Sequence, residues 1–333
     1  MSFKATIIVP TIRQERIDQF LDAWQADLAG HHIIIVEDSD VQTLKIRREN
    51  VTVYARADVE RELGQNAWII SQRTAAVGNF GFWKAKFDQP DMIVMLHDDC
   101  LPADEPGNFL ADHFKALSTE FESPSWLSTG LGWQPRGMPY FQTTRKRRCF
   151  FNHGLWKGVP DFDATTELLS GRLNRSNLIV FPDFMPHLDL TPPSGMYIPM
   201  SDMNIAFHPS LLPAIYLAPM GKGLPYWRFE DIWMGVVVKK IADHLGFAVH
   251  SGLPLVDHPR VSNVWQNLRG EAATMETHEE FWNAVDRIIL GSQTLTGCVD
   301  EIAEAILDFP FGEPGYFDHY GRALRIWNRL CSA

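Results

Sequence analysis

The chain has 333 residues, of which 45% are hydrophobic and 21% are charged, and this composition is typical of a folded globular protein. The formal net charge of −11 argues against broad electrostatic binding to nucleic acid, so we expect no nucleic-acid partner. The four cysteines lie far apart without a CxxC pair, which predicts neither a zinc site nor a disulfide framework. Because we find no signal-peptide pattern and no apolar run long enough for a membrane span, we expect a cytoplasmic protein.

Strand-like and helix-like patterns alternate over the first hundred residues. Short apolar runs predict strands at residues 5–9, 32–36, 51–55 and 92–96. Apolar residues at helical spacing predict an amphipathic helix after the first strand, and residues 67–86 predict a helix before the fourth. This order is typical of an α/β fold in which helices flank a mostly parallel, Rossmann-like sheet.

Polar side chains follow these strands at the points where the strands end. They are Thr11 and Arg13 after the first strand, Glu37 and Asp38 after the second, and His97, Asp98 and Asp99 after the fourth. Parallel strands end at one edge of a sheet, which is where open α/β sheets bind their ligands. The adjacent Asp98 and Asp99 either cap a loop or hold a divalent cation that offsets their mutual repulsion and binds a diphosphate.

The rest of the chain divides into an irregular middle and a helical tail. Residues 123–199 are rich in aromatic residues, glycine and proline without clear periodicity, which predicts an active-site loop region. Regular structure returns at residue 202, and the segment from residue 276 indicates several helices. We therefore expect a nucleotide-binding α/β domain over residues 1–270 and a C-terminal helical extension over residues 271–333.

Several sequence blocks, taken in order, resemble one known family. They are VPTIR at 9–13, IIIVEDSD at 33–40, HDDC at 97–100, PRGMPYF at 135–141, HGLWKGVPDFDA at 153–164, MNIAF at 203–207, RFEDIWMG at 228–235, DHLGFAVHSGLP at 243–254 and HPRVSN at 258–263. These blocks resemble the plant reversibly glycosylated polypeptides, which are UDP-arabinopyranose mutases of glycosyltransferase family 75. The resemblance implies a GT-A-like nucleotide-sugar fold, a UDP-sugar substrate, a divalent metal (Mn²⁺ or Mg²⁺) and a homo-oligomer.

The resemblance also implies catalytic residues. Members of the family become glycosylated on an arginine, and Arg136 falls on that position, where it is either a covalent sugar carrier or a bidentate clamp on the diphosphate. Arg145 matches a second family arginine, after what looks like a two-residue insertion. Asp231 opens a predicted helix together with Arg228 and Glu230, and it either caps that helix or faces the sugar and moves a proton.

Metal ligands follow from the same resemblance. In GT-A proteins the last Asp of the acidic motif usually binds the metal, which implies Asp99, and a late metal-binding histidine corresponds to His258. The family motif reads Asp-Asp-Asp-Cys, whereas this chain has His97 at the first position. His97 either coordinates the metal or hydrogen-bonds the ribose, and Asp98 is expected to contact substrate.

The remaining candidates are expected to bind substrate. GT-A proteins hold the nucleoside near the ends of the first two strands, where the residues are Thr11, Arg13, Glu37 and Asp38. Arg73, on the predicted helix, either faces the base or phosphate or forms a surface ion pair. Asp163 either touches substrate or fixes its loop through an Asx-turn, and Asn204 belongs to the MNIAF block.

These observations lead to a preferred function and to alternatives. The preferred function is a UDP-sugar mutase that interconverts the pyranose and furanose forms of UDP-arabinose, with self-glycosylation on Arg136. The alternatives are a metal-dependent glycosyltransferase that uses a separate acceptor, and a non-catalytic nucleotide-sugar-binding subunit. A mutase must keep water away from its intermediate, and the aromatic-rich loop at residues 133–163 is the candidate lid.

Overall fold

The computed structural model describes residues 3–103, 108–127, 136–159, 161–170, 172–173, 179–180, 189–259 and 263–332. Its strands are β1 (Ala5–Thr11), β2 (His32–Glu37), β3 (Val51–Tyr54), β4 (Met92–Leu96), β5 (Leu101–Pro102), β6 (Glu120–Pro124), β7 (Thr144–Gly158), β8 (Arg172–Leu173), β9 (Ile179–Val180), β10 (Asn204–Phe207) and β11 (Ala248–His258). Its α-helices are α1 (Gln14–Ala23), α2 (Arg56–Leu63), α3 (Gly78–Ala85), α4 (Phe109–Leu117), α5 (Ala164–Ser170), α6 (Glu230–Leu245), α7 (Val264–Arg287), α8 (Leu295–Leu307) and α9 (Tyr316–Ser332).

A mostly parallel sheet forms the centre of the fold. The strand order is β3-β2-β1-β4-β10-β7-β11-β5, and β6 pairs with β7. Neighbouring strands are parallel from β3 to β4 and between β7 and β11, whereas β10 runs antiparallel between β4 and β7. The predicted α/β fold with a mostly parallel sheet flanked by helices is confirmed.

The central strands are apolar throughout because helices cover both faces of the sheet. Every residue of β4 is buried. Alternate residues point to two separate cores, with Ile93 packed on the side that includes Phe80 of α3 and Val94 on the side that includes Phe20 of α1. A strand buried on both faces needs an uninterrupted apolar run, which is why β2 and β4 were visible in the sequence.

The predicted helix over residues 67–86 is confirmed in its second half, by α3, and is wrong in its first half. The chain forms 3₁₀ turns at Gly64–Ile69 and Ala75–Val77, and regular α-helix begins at α3. Arg73 has a backbone φ of 61°, and its N–H donates to the carboxylate of Asp38. Asp38, on another loop, accepts the N–H of Arg73 and so stabilises its left-handed conformation. This conformation interrupts helical hydrogen bonding, so Arg73 lies on a loop.

The predicted irregular middle at residues 123–199 is also wrong in part, because β7 extends over 15 residues within it. Strand β7 begins with four consecutive basic residues at positions 145–148, and this run concealed the strand pattern. Arg147 is buried in that run, and its guanidinium donates to Ser123 at 2.7 Å and to Asp243 at 3.1 Å, whereas its neighbours in the run are exposed. A buried charged residue that is fully paired resembles a surface residue in sequence alone.

The predicted C-terminal helices are present, and they share the core of the sheet region. Trp233 of α6 stacks on Phe281 of α7 with ring centroids 4.2 Å apart, and Phe317 of α9 lies 5.8 Å from the same Trp233 ring. Helix α7 begins at Val264 and so crosses the expected boundary after residue 270, and the division into two domains stays a prediction. Among the described residues, none of the helices combines the length and apolar content needed to cross a membrane.

Candidate active site

The ends of β2, β1 and β4 lie side by side, as the parallel order predicts. Thr11 is opposite Glu37 in the ladder, and its hydroxyl donates to the buried carboxylate of Asp98. Arg13 binds Asp98 through Nη2 and through Nε at 3.0 Å, and Nη2 lies 3.4 Å from Asp99. Burial lowers the pKa of Arg13, but the two carboxylates outweigh this effect and raise it. Asp98 is thus held by protein groups, while Asp99 reaches the neighbouring cavity.

A cavity of about 640 Å³ lies next to these strand ends. Its walls come from the loop before α3, the end of β4, the residues before β10, the start of α6, and α7. The predicted site residues that line it are Arg73, His97, Asp99, Arg228, Glu230, Asp231 and His258. The fold therefore brings together residues from distant parts of the chain in a volume typical of small-molecule sites, which span about 300–1,000 Å³.

Carboxylates dominate the walls of this cavity. They belong to Asp99, Asp161, Glu167, Asp202, Glu230 and Asp231. The arginines that face them are Arg73 and Arg228. Such a wall repels an anionic substrate unless a metal cation binds or some carboxyl groups keep their protons.

Asp231 and Glu230 occupy the first turn of α6, as predicted. Asp231 accepts hydrogen bonds from the backbone N–H groups of Asp202 at 3.1 Å and Ile232 at 2.9 Å, and Glu230 accepts one from the hydroxyl of Thr74. Burial raises the pKa of Asp231 well above its usual range, and the nearby Asp202 and Glu230 raise it further. An aspartic acid that keeps its proton can donate a hydrogen bond or a proton to a sugar oxygen.

His97 places a cation where the family motif has its first carboxylate. Its Nε2 atom lies 2.8 Å from a carboxylate oxygen of Asp202. Burial lowers the pKa of His97, but Asp202, Asp99 and Asp161 outweigh this effect and raise it to about 10. A protonated imidazole has no lone pair for a metal, so ligation by His97 would require the loss of this proton, and it stays a prediction.

Asp99 and His258 are the remaining candidate metal ligands, and both line the cavity. Nδ1 of His258 lies 2.8 Å from the carbonyl oxygen of Val159, so Nδ1 carries the proton and Nε2 keeps its lone pair. Metal-binding histidines typically have this arrangement. Within the described ranges, no group of at least three His, Cys, Asp or Glu side chains is arranged to hold a metal, so a metal here would also need oxygens from substrate and water.

Both arginines of the cavity have a left-handed backbone, with a φ of 61° at Arg73 and 65° at Arg228. Asp38 accepts the N–H of Arg73, and Glu271 accepts Nε of Arg228 at 2.6 Å. This conformation is unfavourable for residues other than glycine, and such residues cluster at functional sites. Asp38 thus supports Arg73 directly, while its own contact with substrate stays a prediction.

Other predicted substrate-binding residues do not line the cavity and hold the local backbone. Glu37 accepts hydrogen bonds from the loop at residues 39–44, and Asn204 donates to backbone carbonyls of β7 and β11. Asp163 accepts the N–H of Thr166 at 2.9 Å in the first turn of α5. These contacts are structural, and a role in substrate binding stays a prediction for each residue.

The two predicted catalytic arginines lie outside the cavity. Arg136 occupies a turn before β7 and Arg145 lies within β7, and both side chains are exposed. Neither belongs to the cavity lining, so the structure does not bring them together with Asp231. Of the candidate lid, residues 133–135 and residue 160 lie outside the described residues.

Asp202 and Glu167 are among the lining carboxylates that sequence reasoning missed. Asp202 reaches the site because β10 pairs antiparallel with β4, with Asn204 opposite Leu96. Glu167 reaches it because α5 packs against α7. Both positions depend on long-range pairing that leaves no local signal in the sequence.

Parallel strand ends, strained arginines and a carboxylate-rich cavity define an α/β protein with a candidate small-molecule site at the edge of its sheet. The family model described as reversibly glycosylated polypeptide matches residues 3–333, and the chain therefore belongs to that family.

Several plant proteins are similar to the chain over most of its length. A protein named probable UDP-arabinopyranose mutase 4, from Arabidopsis thaliana, is 32% identical over 96% of this chain and 88% of its own length. UDP-arabinopyranose mutase 1 from Oryza sativa subsp. japonica is 31% identical over the same shares of both chains. A probable UDP-arabinopyranose mutase 1 from Zea mays is 34% identical over 80% of this chain and 72% of its own.

Proposed function

We propose that this protein is a UDP-arabinopyranose mutase, an isomerase that interconverts UDP-arabinopyranose and UDP-arabinofuranose. The observation that supports this function best is the cavity beside β4, in which Asp99, Arg228 and Asp231 meet although they lie far apart in sequence. Relatives that carry the mutase name match the chain from end to end, so the same cavity is expected in them.

Ring contraction begins with cleavage of the bond between C1 of the sugar and the diphosphate, which leaves negative charge on UDP. Arg73 and Arg228 are the side chains proposed to bind this charge, because their strained backbones hold them at the cavity. Asp99 and His258 are the proposed ligands of Mn²⁺ or Mg²⁺, and such an ion, when bound, would act as a Lewis acid on the leaving diphosphate.

Asp231 is proposed to face the sugar. Its raised pKa allows it to donate a hydrogen bond to a sugar hydroxyl at neutral pH, and the backbone N–H groups of Asp202 and Ile232 fix its orientation. Thr74 and Glu230 form a second polar pair beside it. These groups would hold the sugar near UDP while its ring rearranges, so that recombination is faster than loss of the intermediate.

We also make proposals about the covalent modification, the oligomeric state and the location of the protein. The proposed function includes self-glycosylation on Arg136. Its side chain is exposed, so the active site of a second protein copy could reach it. We also propose a homo-oligomer, and a cytoplasmic location, where a reducing environment suits the four buried free cysteines.

The test is incubation of the purified protein with UDP-arabinopyranose and Mn²⁺, followed by NMR, without an added acceptor. The wild type is expected to form UDP-arabinofuranose, and Asp231→Asn to lower kcat by about 100-fold, the size of effect typical of an acid–base group. Asp318→Asn is the matched control, because Asp318 is also an acidic residue in the first turn of a helix, α9. Its rate should equal that of the wild type.

Two outcomes would overturn the mutase function in favour of the alternatives. Release of free UDP without furanose would indicate a transferase whose acceptor is absent. Binding of UDP-arabinopyranose without any conversion would indicate a non-catalytic subunit.

A further inference from the structure

Glu167 is a cavity carboxyl group to which the roles above assign no task. It lies on α5, is 6% exposed, and its side chain lines the same cavity as Asp231. Within the described part of the chain, its carboxyl group makes no hydrogen bond or ion pair. A buried carboxyl group without a protein partner, facing a cavity, is available to a ligand.

The surroundings of Glu167 bring its pKa close to neutral pH, so that both its protonated and its ionised forms are populated. Burial raises the pKa of Glu167 to about 7, and Glu271 on α7 adds to the increase. Arg228 opposes it, whereas Asp161 and Asp163, which precede α5, increase it slightly further. A carboxyl group in this state can accept a proton as readily as it donates one.

Glu271 positions this group and is itself unavailable for proton transfer. One of its oxygens accepts the backbone N–H of Ala164 at 2.8 Å, and the other accepts Nε of Arg228 at 2.6 Å. Each oxygen of Asp231 also has a protein donor, a backbone N–H group, and Asp231 keeps the role of hydrogen-bond donor to the sugar that is proposed above. Glu167 therefore differs from both, because it lines the cavity and no group among the described residues donates to its carboxyl oxygens.

We propose that Glu167 carries a proton between two oxygens of the sugar during ring contraction, an inference that rests on the mutase function. The diphosphate oxygen first leaves C1 with the bonding electron pair. The sugar oxygen O4 then bonds to C1 and gives its proton to the Glu167 carboxylate.

The second half of the step restores Glu167. The bond between C1 and O5 breaks, O5 keeps the electron pair, and O5 takes the proton from the Glu167 carboxyl group. The diphosphate oxygen then bonds to C1 of the five-membered ring. Every atom and charge is accounted for, and no co-reactant is needed.

The test compares Glu167→Gln with wild type in furanose formation and in UDP binding by calorimetry. The variant is expected to lower kcat by about 100-fold or more, with UDP affinity changed by less than about 2-fold. The wild-type profile of kcat against pH should have an inflection near 7 that the variant lacks. Glu276→Gln, an exposed change on α7, is the control and should match the wild type.

A second variant distinguishes proton transfer from a structural role. Glu271→Gln removes the negative charge beside Glu167 while keeping an acceptor for Arg228, so the inflection should move to lower pH. Glu167→Gln with wild-type kcat would overturn the inference while leaving the mutase function intact. Equal losses of kcat and UDP binding would also overturn it, because Glu167 would then be structural. A wild type that forms no furanose overturns the mutase function and this inference with it.

Discussion

The imidazole of His97 and the carboxylate of Asp202 form an ion pair, with 2.8 Å between Nε2 and the nearer oxygen. Asp202 is 3% exposed, so its charge has little access to water and depends on this partner. Without a metal, a protonated His97 therefore stabilises the cavity wall through its charge.

His97→Asp should destabilise the folded protein in the absence of metal. It removes the cation from Asp202 and adds a carboxylate, and breaking such a pair typically costs about 3 kcal/mol or more. The free energy of unfolding in urea at pH 7, with a chelator present, measures this cost. His97→Asp combined with Asp202→Asn should regain most of it, and equal stability of His97→Asp and wild type would contradict the ion-pair role.

Divalent metal should strengthen UDP binding through Asp99 and His258. Asp99→Asn and His258→Ala are each expected to reduce the affinity measured with Mn²⁺ by about 10-fold or more, the range found for metal-site substitutions. Titration calorimetry with Mn²⁺ and with a chelator measures the effect. Without metal, the wild type and His258→Ala should bind UDP about equally. A wild-type affinity that is the same with Mn²⁺ and with chelator would contradict the metal site.

The part of the fold predictable from the sequence is the part specified by local pattern. Strands β2 and β4 contain uninterrupted apolar runs, and the residues that follow β4 lead directly to Asp98 and Asp99. Strand β10 could be read as apolar, but its antiparallel insertion between β4 and β7 depends on contacts between residues far apart in the sequence. The pairing of β10 with β4 brings Asp202, which precedes β10, into contact with His97, which follows β4.

Other residues have structures that differ from those predicted by their neighbours in the sequence. Arg73 lies in a segment with a helical pattern, yet Asp38 holds it in a left-handed conformation. Arg147 lies in a basic run typical of a surface loop, yet it is buried. Each exception needs a partner distant in sequence, and a single sequence does not reveal such partners.

Self-glycosylation should be confined to Arg136. Incubation with UDP-arabinopyranose, followed by intact-mass measurement, is expected to show one added pentose on wild type and none on Arg136→Lys. Lysine keeps the positive charge but lacks the guanidinium. Comparison of Arg136→Lys with wild type therefore distinguishes covalent attachment to the guanidinium from an effect of charge. Arg148→Lys is the matched control, because Arg148 is an exposed arginine of β7 with no catalytic role assigned to it, and this variant should retain the adduct. An adduct that persists in Arg136→Lys would exclude Arg136 as the carrier.

His113 should make the folded protein sensitive to acid. Its ring is fully buried, with Nε2–H donating to Asn204 at 2.9 Å and Nδ1 accepting from Asn152 at 2.8 Å, and burial lowers the pKa of His113 to about 3. Between pH 6.5 and 3 the unfolded chain binds a proton that the folded chain excludes, so stability falls as pH falls.

The expected slope for this one group approaches about 1.4 kcal/mol per pH unit well below pH 6.5. His113→Gln keeps a donor and an acceptor but does not titrate, so the free energy of unfolding between pH 5.5 and 4.5 should fall less steeply by that amount. Urea unfolding at the two pH values measures it. Identical slopes for variant and wild type would show that His113 is not kept neutral by burial.

Arg73→Gly should separate folding stability from ligand binding. The exposed Arg73 side chain contributes little packing, and its φ of 61° is unfavourable for any residue with a Cβ atom. Glycine relieves this strain, so the free energy of unfolding should rise by about 0.5–1 kcal/mol, while UDP affinity should fall by about 10-fold because a diphosphate contact is lost. Gln89→Gly is the matched control, because Gln89 is an exposed residue with a φ of 49° that does not line the cavity. It should gain similar stability and keep wild-type affinity, whereas a loss of affinity in both variants, or in neither, would show that the strain at Arg73 does not serve UDP binding.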